Sequence, residues 1–165
     1  MADIDWTTIG VALASGTTGA LGPWVLHWRQ GRREEKTAAA AILAEVDALA
    51  TIIRLRQFVA HLQIHEEVAR SRLNKGDPEP VLFPVPVSHD YNRVYKENMA
   101  RLGCMNSDVA TKVVRFYAIL MSVVSDVSEG GVLTQGQPDP GSYRESRELL
   151  EQALVLADAL RTVKR

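Results

Sequence analysis

The chain has 165 residues, enough for one domain plus an appendage. It is 46% hydrophobic and 24% charged, which excludes a disordered or fibrous protein. The formal net charge of −1 lacks the basic excess of a nucleic-acid binder, so no nucleic-acid partner is expected, and a single cysteine, Cys104, excludes an intramolecular disulfide and cysteine-rich metal sites.

The charges are unevenly placed. From Trp6 to Trp28 there is no Asp, Glu, Lys or Arg, and every basic residue lies at Arg29 or beyond. As a helix, Thr8 to Trp28 would extend roughly 31 Å, enough to cross a hydrocarbon core. Trp6, Trp24 and Trp28 stand toward its ends, where indole rings favour the headgroup level. Arg29, Arg32, Arg33 and Lys36 follow, so the positive-inside rule predicts an external N-terminus and a cytoplasmic C-terminal body. The acidic opening, Met-Ala-Asp-Ile-Asp, differs from the positive start of a secretory signal. No nearby cysteine could carry a lipoprotein anchor.

Only Ile9, Val11, Leu13, Leu21, Val25 and Leu26 favour insertion strongly, contributing about −2 to −4 kcal/mol together. Pro23 and the intervening Gly, Ser and Thr oppose them. The same small residues offer a packing surface. Gly10 and Ala14, Ala12, Gly16 and Ala20, and Ser15 and Gly19 recur at four-residue spacing, which lets helix backbones approach closely in lipid. The segment is therefore expected to pair with a partner membrane helix or a second copy of the chain. Residues 1–31 are assigned to the anchor and junction, and 32–165 to a helical domain.

Residues 32 to 73 contain neither Gly nor Pro and predict one long helix. Ile42, Val46, Leu49 and Ile53 form one apolar stripe, and Ile52, Leu55, Val59 and Leu62 an adjacent one. Such a wide face suits a bundle. Pro78, Pro80, Pro84 and Pro86 then break the helix. Their neighbours Val81, Leu82, Phe83, Val85 and Val87 predict an extended segment lying across the bundle.

A helix over about 90–102 is expected next, capped by Ser88 or Asp90 and closed by a left-handed Gly103. Another follows from an Asn106 or Ser107 cap to about Ser128, with Val109, Val113, Phe116, Tyr117, Leu120, Val123, Val124 and Val127 inward. After a turn-rich loop, Ser142 and Glu145 have the spacing of a capping box. Leu149, Leu150, Ala153, Leu154, Ala157, Leu160 and Val163 give the final helix its apolar stripe. The expected class is all-α: an N-terminal transmembrane helix followed by an irregular four-helix bundle.

The run Tyr91 to Asn98 (YNRVYKEN), Leu102-Gly103, and Val113 to Tyr117 (VVRFY), with the Gly/Ala-rich start and basic junction, resembles small uncharacterised bacterial and phage single-pass membrane proteins with a cytoplasmic helical domain. The resemblance implies no activity, catalytic residue or cofactor.

Chemical signatures are sparse. His61 and His65 stand at i, i+4, so both could face one metal ion with a third ligand such as Glu66 or His89. Leu62 occupies the place where a zincin motif requires Glu. There is no G-x-S-x-G elbow or Walker loop, and Cys104 reads as a small half-buried side chain. Arg54 and Arg56 interrupt an apolar stretch. They read as rim residues, or as members of a register-fixing network with Glu97 or Asp126 and with Tyr91, Tyr95, Asn98 and Tyr117. The favoured function is a non-enzymatic, membrane-anchored interaction or assembly module. The alternatives are a metal-binding protein or enzyme using His61 and His65, and a phage or prophage membrane protein acting in lysis or exclusion.

Overall fold

The computed structural model describes residues 37–77, 79–135 and 139–163. The chain divides into two units, Met1–Ala38 and Ala39–Arg165, and the second carries the core considered below. The expected transmembrane helix, its small-residue face and the flanking Trp6, Trp24, Trp28, Arg29, Arg32 and Arg33 lie outside the described residues. No helix among the described residues is long and apolar enough to cross a membrane.

The described fold is all-α. Helix α1 covers 37–55, α2 Phe58–Asn74, α3 Arg93–Asn98, α4 Ser107–Val127 and α5 Pro140–Val163, with a 3₁₀ helix, Met99–Cys104, directly after α3. No strand occurs among the described residues.

The long helix expected over 32–73 is interrupted. Arg56 and Gln57 form a turn, and Gln57 takes a left-handed conformation, φ 52° and ψ 35°. This is the sole non-glycine residue with positive φ among those described. It costs roughly 1–2 kcal/mol in backbone strain, which packing on either side offsets. The turn explains why the second apolar stripe does not stay together. Leu62 is buried in α2, whereas Ile52 is 48% exposed and Leu55 77% exposed at the end of α1. Propensity could not reveal this break, because no Gly or Pro marks it.

Helix α2 ends in a Schellman motif. Gly76, at φ 69°, donates its N–H to the Leu73 carbonyl, and Asp77 donates to the Arg72 carbonyl at 3.0 Å. The proline-rich segment then runs extended with a two-residue rhythm. Phe83 is buried, Val81, Val85 and Val87 are half-buried, and Leu82, Pro84 and Pro86 are exposed. The Phe83 N–H donates to the Leu133 carbonyl at 2.8 Å and the Val85 N–H to the Val127 carbonyl at 3.3 Å. Pro84 and Pro86 fall at the alternate, outward positions, where their missing N–H leaves no inward acceptor unpaired.

Helix α3 starts later than expected, with Asn92 at its N-cap position, and Gly103 lies within the 3₁₀ helix without a positive φ. Helix α4 matches its expected span. The Asn106 side chain accepts the Asp108 N–H at 2.9 Å. Val109, Val113, Phe116, Tyr117, Leu120, Val123 and Val127 are buried, and Val124 is half-buried. After α4, Gly130 takes φ 83°. A Cβ on Gly131 would stand 2.2 Å from the Ser125 carbonyl oxygen, so only glycine fits this return.

Helix α5 begins two residues before the expected Ser142–Glu145 box. Pro140 occupies its first turn, and the Asp139 carboxylate accepts the Gly141 N–H at 2.9 Å. Leu150, Ala153, Ala157 and Leu160 are buried as expected, joined by Tyr143 and Ser146, while Val163 is 50% exposed. Helices α2 and α4 both pack on α5. The apolar residues of α1, α2, α4 and α5, with Phe83, Tyr95 and Leu133, form one continuous core.

Candidate functional site

Three arrangements in this core hold the polar chemistry of the protein. The first centres on Glu45, a half-buried carboxylate of α1. One carboxylate oxygen accepts the Val94 N–H at 2.9 Å, and the other accepts the Tyr95 N–H at 2.9 Å and the Tyr117 hydroxyl at 2.6 Å. Val94 and Tyr95 are the second and third residues of α3. These are the donors an N-cap side chain normally satisfies. Asn92 occupies the cap position, yet its side chain makes no capping bond, so Glu45 serves as a cap supplied from another helix. Its negative charge also suits the positive end of the helix dipole.

Tyr95 and Tyr117 stack with ring centroids 3.9 Å apart and planes 13° from parallel, and Phe116 meets Tyr117 edge-on. Burial and the hydrogen-bonded Glu45 carboxylate push the Tyr117 phenol well above its ordinary pKa, so it stays a donor. Asn92 is 1% exposed, and its Oδ1 has no hydrogen-bond partner among the described residues. The network pins α1, α3 and α4 together.

Tyr117 enters this network through its hydroxyl and Tyr95 through its backbone N–H, but a carboxylate stands where the alternative reading had placed an arginine. Glu97 pairs with Arg93, and Asp126 accepts the Ser146 hydroxyl at 3.0 Å. Arg54 pairs with Asp158 of α5 at 2.8 Å on the surface. The signal for Glu45 was present in the sequence. It stands three residues after Ile42 and four before Leu49, an acid inside the apolar stripe.

The second arrangement centres on Glu66 of α2, 6% exposed. It pairs with Arg70 one turn on and lies 3.5 Å from Nε of Arg147 on α5. Arg147 in turn bonds Glu151 at 3.0 Å. The Arg147 Nε is buried, within ion-pair reach of Glu66 but without a hydrogen bond of good geometry. Beside this cluster the Tyr143 hydroxyl donates to the Val81 carbonyl, tying α5 to the extended segment.

His65 belongs to this packing. Its ring lies edge-on to Phe83 with centroids 4.7 Å apart, and its Nδ1 is 2.8 Å from the His61 carbonyl oxygen. His61 is exposed. No group of three His, Cys, Asp or Glu side chains among the described residues is placed to hold a metal ion. Cys104, expected half-buried, is exposed.

The third arrangement is a cavity of about 310 Å³ beside the α1–α2 turn, between α1, α4 and residues 85–91. Leu49, Ile53, Phe58, Val87, Leu120 and Val124 give it apolar walls, with Arg56, Ser88 and Tyr91 as its polar members. Sequence reasoning did not anticipate it, because the turn at Gln57 brings Arg56 and Phe58 to one opening.

No protein-family model matches the chain, and neither a curated protein nor a solved structure matches it.

Proposed function

We propose that this protein is a single-pass, membrane-anchored helical module that acts by binding a partner rather than by catalysing a reaction. The carrying observation is the charge-free stretch from Trp6 to Trp28, bounded by tryptophans and followed at once by Arg29, Arg32, Arg33 and Lys36. That pattern favours an outside N-terminus and a cytoplasmic body. The small-residue face of Gly10, Ala12, Ala14, Ser15, Gly16, Gly19 and Ala20 favours a partner membrane helix or a second copy. The helical body supports the non-catalytic reading through the use of its inward-facing acids. Glu45 caps a helix and Glu66 bridges α2 to α5, so both hold elements in register.

A C-terminal reporter fusion tests the reading. The expected result is membrane association resistant to carbonate extraction, with the reporter active only in the cytoplasm. A product recovered wholly in the soluble fraction would refute it. For the pairing face, tag-exchange pull-down from detergent should recover a second copy or a partner helix. Recovery of monomer alone would remove that part.

A further inference from the structure

We propose that the cavity beside the α1–α2 turn is a binding site for a free, short- to medium-chain aliphatic carboxylate. Its volume of about 310 Å³ lies at the lower end of small-molecule sites, which span about 300–1,000 Å³. Leu49, Ile53, Phe58, Leu120 and Val124 offer an apolar surface complementary to a single alkyl chain. That space suits one short chain better than the two long chains of a phospholipid.

The polar members select the head group. Arg54, two residues away, has its guanidinium engaged by Asp158, whereas Arg56 has no carboxylate partner among the described residues. An arginine without an acidic neighbour, at the edge of an apolar cavity, favours an anion and presents paired N–H donors that match a carboxylate. The Tyr91 hydroxyl makes no hydrogen bond among the described residues, and its pKa is raised by burial alone, so it remains a neutral donor. No acidic side chain lines the cavity to repel the ligand.

The backbone provides a reason for the arrangement. The left-handed Gln57 stops α1 so that Arg56 and Phe58, on either side of Gln57, both border the same space. A continuous helix would have separated successive residues around its surface by about 100° each. The strained residue therefore builds the cavity mouth. Every lining residue named lies between Leu49 and Val124, so the ligand test is separate from the test of membrane anchoring.

Methyl-resolved NMR of the full chain, titrated with hexanoate, octanoate and octanol, tests the proposal. Octanoate should shift the methyls of Leu49, Ile53, Leu120 and Val124 saturably. Its Kd should lie roughly fifteenfold below that of hexanoate, from about fourfold per added methylene. Arg56→Gln should weaken octanoate about tenfold or more and leave octanol unchanged, since it removes a charge-assisted contact. Ile52 also lines the cavity and is 48% exposed, so Ile52→Trp should abolish binding of both while the amide spectrum remains that of a folded chain. The absence of saturable shifts at these methyls would overturn the proposal. So would equal loss of octanoate and octanol in Arg56→Gln, or unchanged binding in Ile52→Trp. Phosphatidylglycerol vesicles shifting the same methyls with no octanoate present would reassign the site to a bilayer lipid.

Discussion

Removing Glu45 should destabilise the helical body more than removing any exposed ion pair. The carboxylate accepts two backbone N–H groups of α3 and the Tyr117 hydroxyl. Glu45→Ala leaves all three donors without it in a partly buried setting. A lost hydrogen bond to a charged group costs about 1.5–3 kcal/mol, but the three share one acceptor, and freed amides at a helix end regain some water. A total of about 3–4 kcal/mol is expected. For a body of this size that corresponds to a fall in Tm of roughly 10–20 °C. Tyr117→Phe removes one of the three bonds and leaves the cap intact, so it should cost about 1.5 kcal/mol. The double variant should cost less than the two singles added, with a coupling of about 1 kcal/mol or more, because each single variant already removes the Tyr117–Glu45 bond. Urea unfolding of the full chain and the three variants, followed by far-ultraviolet circular dichroism, gives these values. Amide exchange should further show Val94 and Tyr95 losing protection in Glu45→Ala. A cost below 1 kcal/mol for Glu45→Ala, or additive single effects, would refute the carboxylate cap as the tie between α1, α3 and α4.

Three further outcomes follow from the geometry. Tyr117 has its pKa raised by burial and by Glu45, so above about pH 10 the unfolded chain loses a phenolic proton that the folded chain keeps. Its contribution is whole below that pH, and stability should fall by about 1.4 kcal/mol per pH unit between roughly pH 10 and 12, a slope that Tyr117→Phe should reduce in alkaline urea titrations. Gln57→Val should lower the urea midpoint by an amount equal to about 1–2 kcal/mol, because a β-branched side chain suits φ 52° poorly, while Gln57→Asn should be neutral or slightly stabilising. Gly131→Ala should cost at least about 2 kcal/mol, since its Cβ would lie 2.2 Å from a backbone oxygen, whereas Gly130→Ala meets only open space and should cost about 1 kcal/mol for its left-handed φ.

The sequence by itself determined the helical class, the position of α4 and the inward face of α4 and most of α5. These rest on local rules: apolar residues at three- and four-residue spacing, an Asn106 cap, and glycines past the helix end. It also indicated an extended path within residues 74–89, which the structure shows over 79–88, since alternating valines and prolines admit little else. Tertiary structure decided the rest. The break at Gln57 carries no Gly or Pro, and only packing on both sides makes a left-handed glutamine tolerable. That break in turn separates Ile52 and Leu55 from Leu62 and opens the cavity beside Arg56. The cap of α3 comes from a side chain 49 residues away, so no local window around Asn92 contains its partner. The start of α5 was legible in principle, because Asp139 and Pro140 are themselves a helix-opening pair. Periodicity tells which face of a helix turns inward. Which polar group meets which across the core depends on how the helices cross, and that is fixed only when the whole body packs.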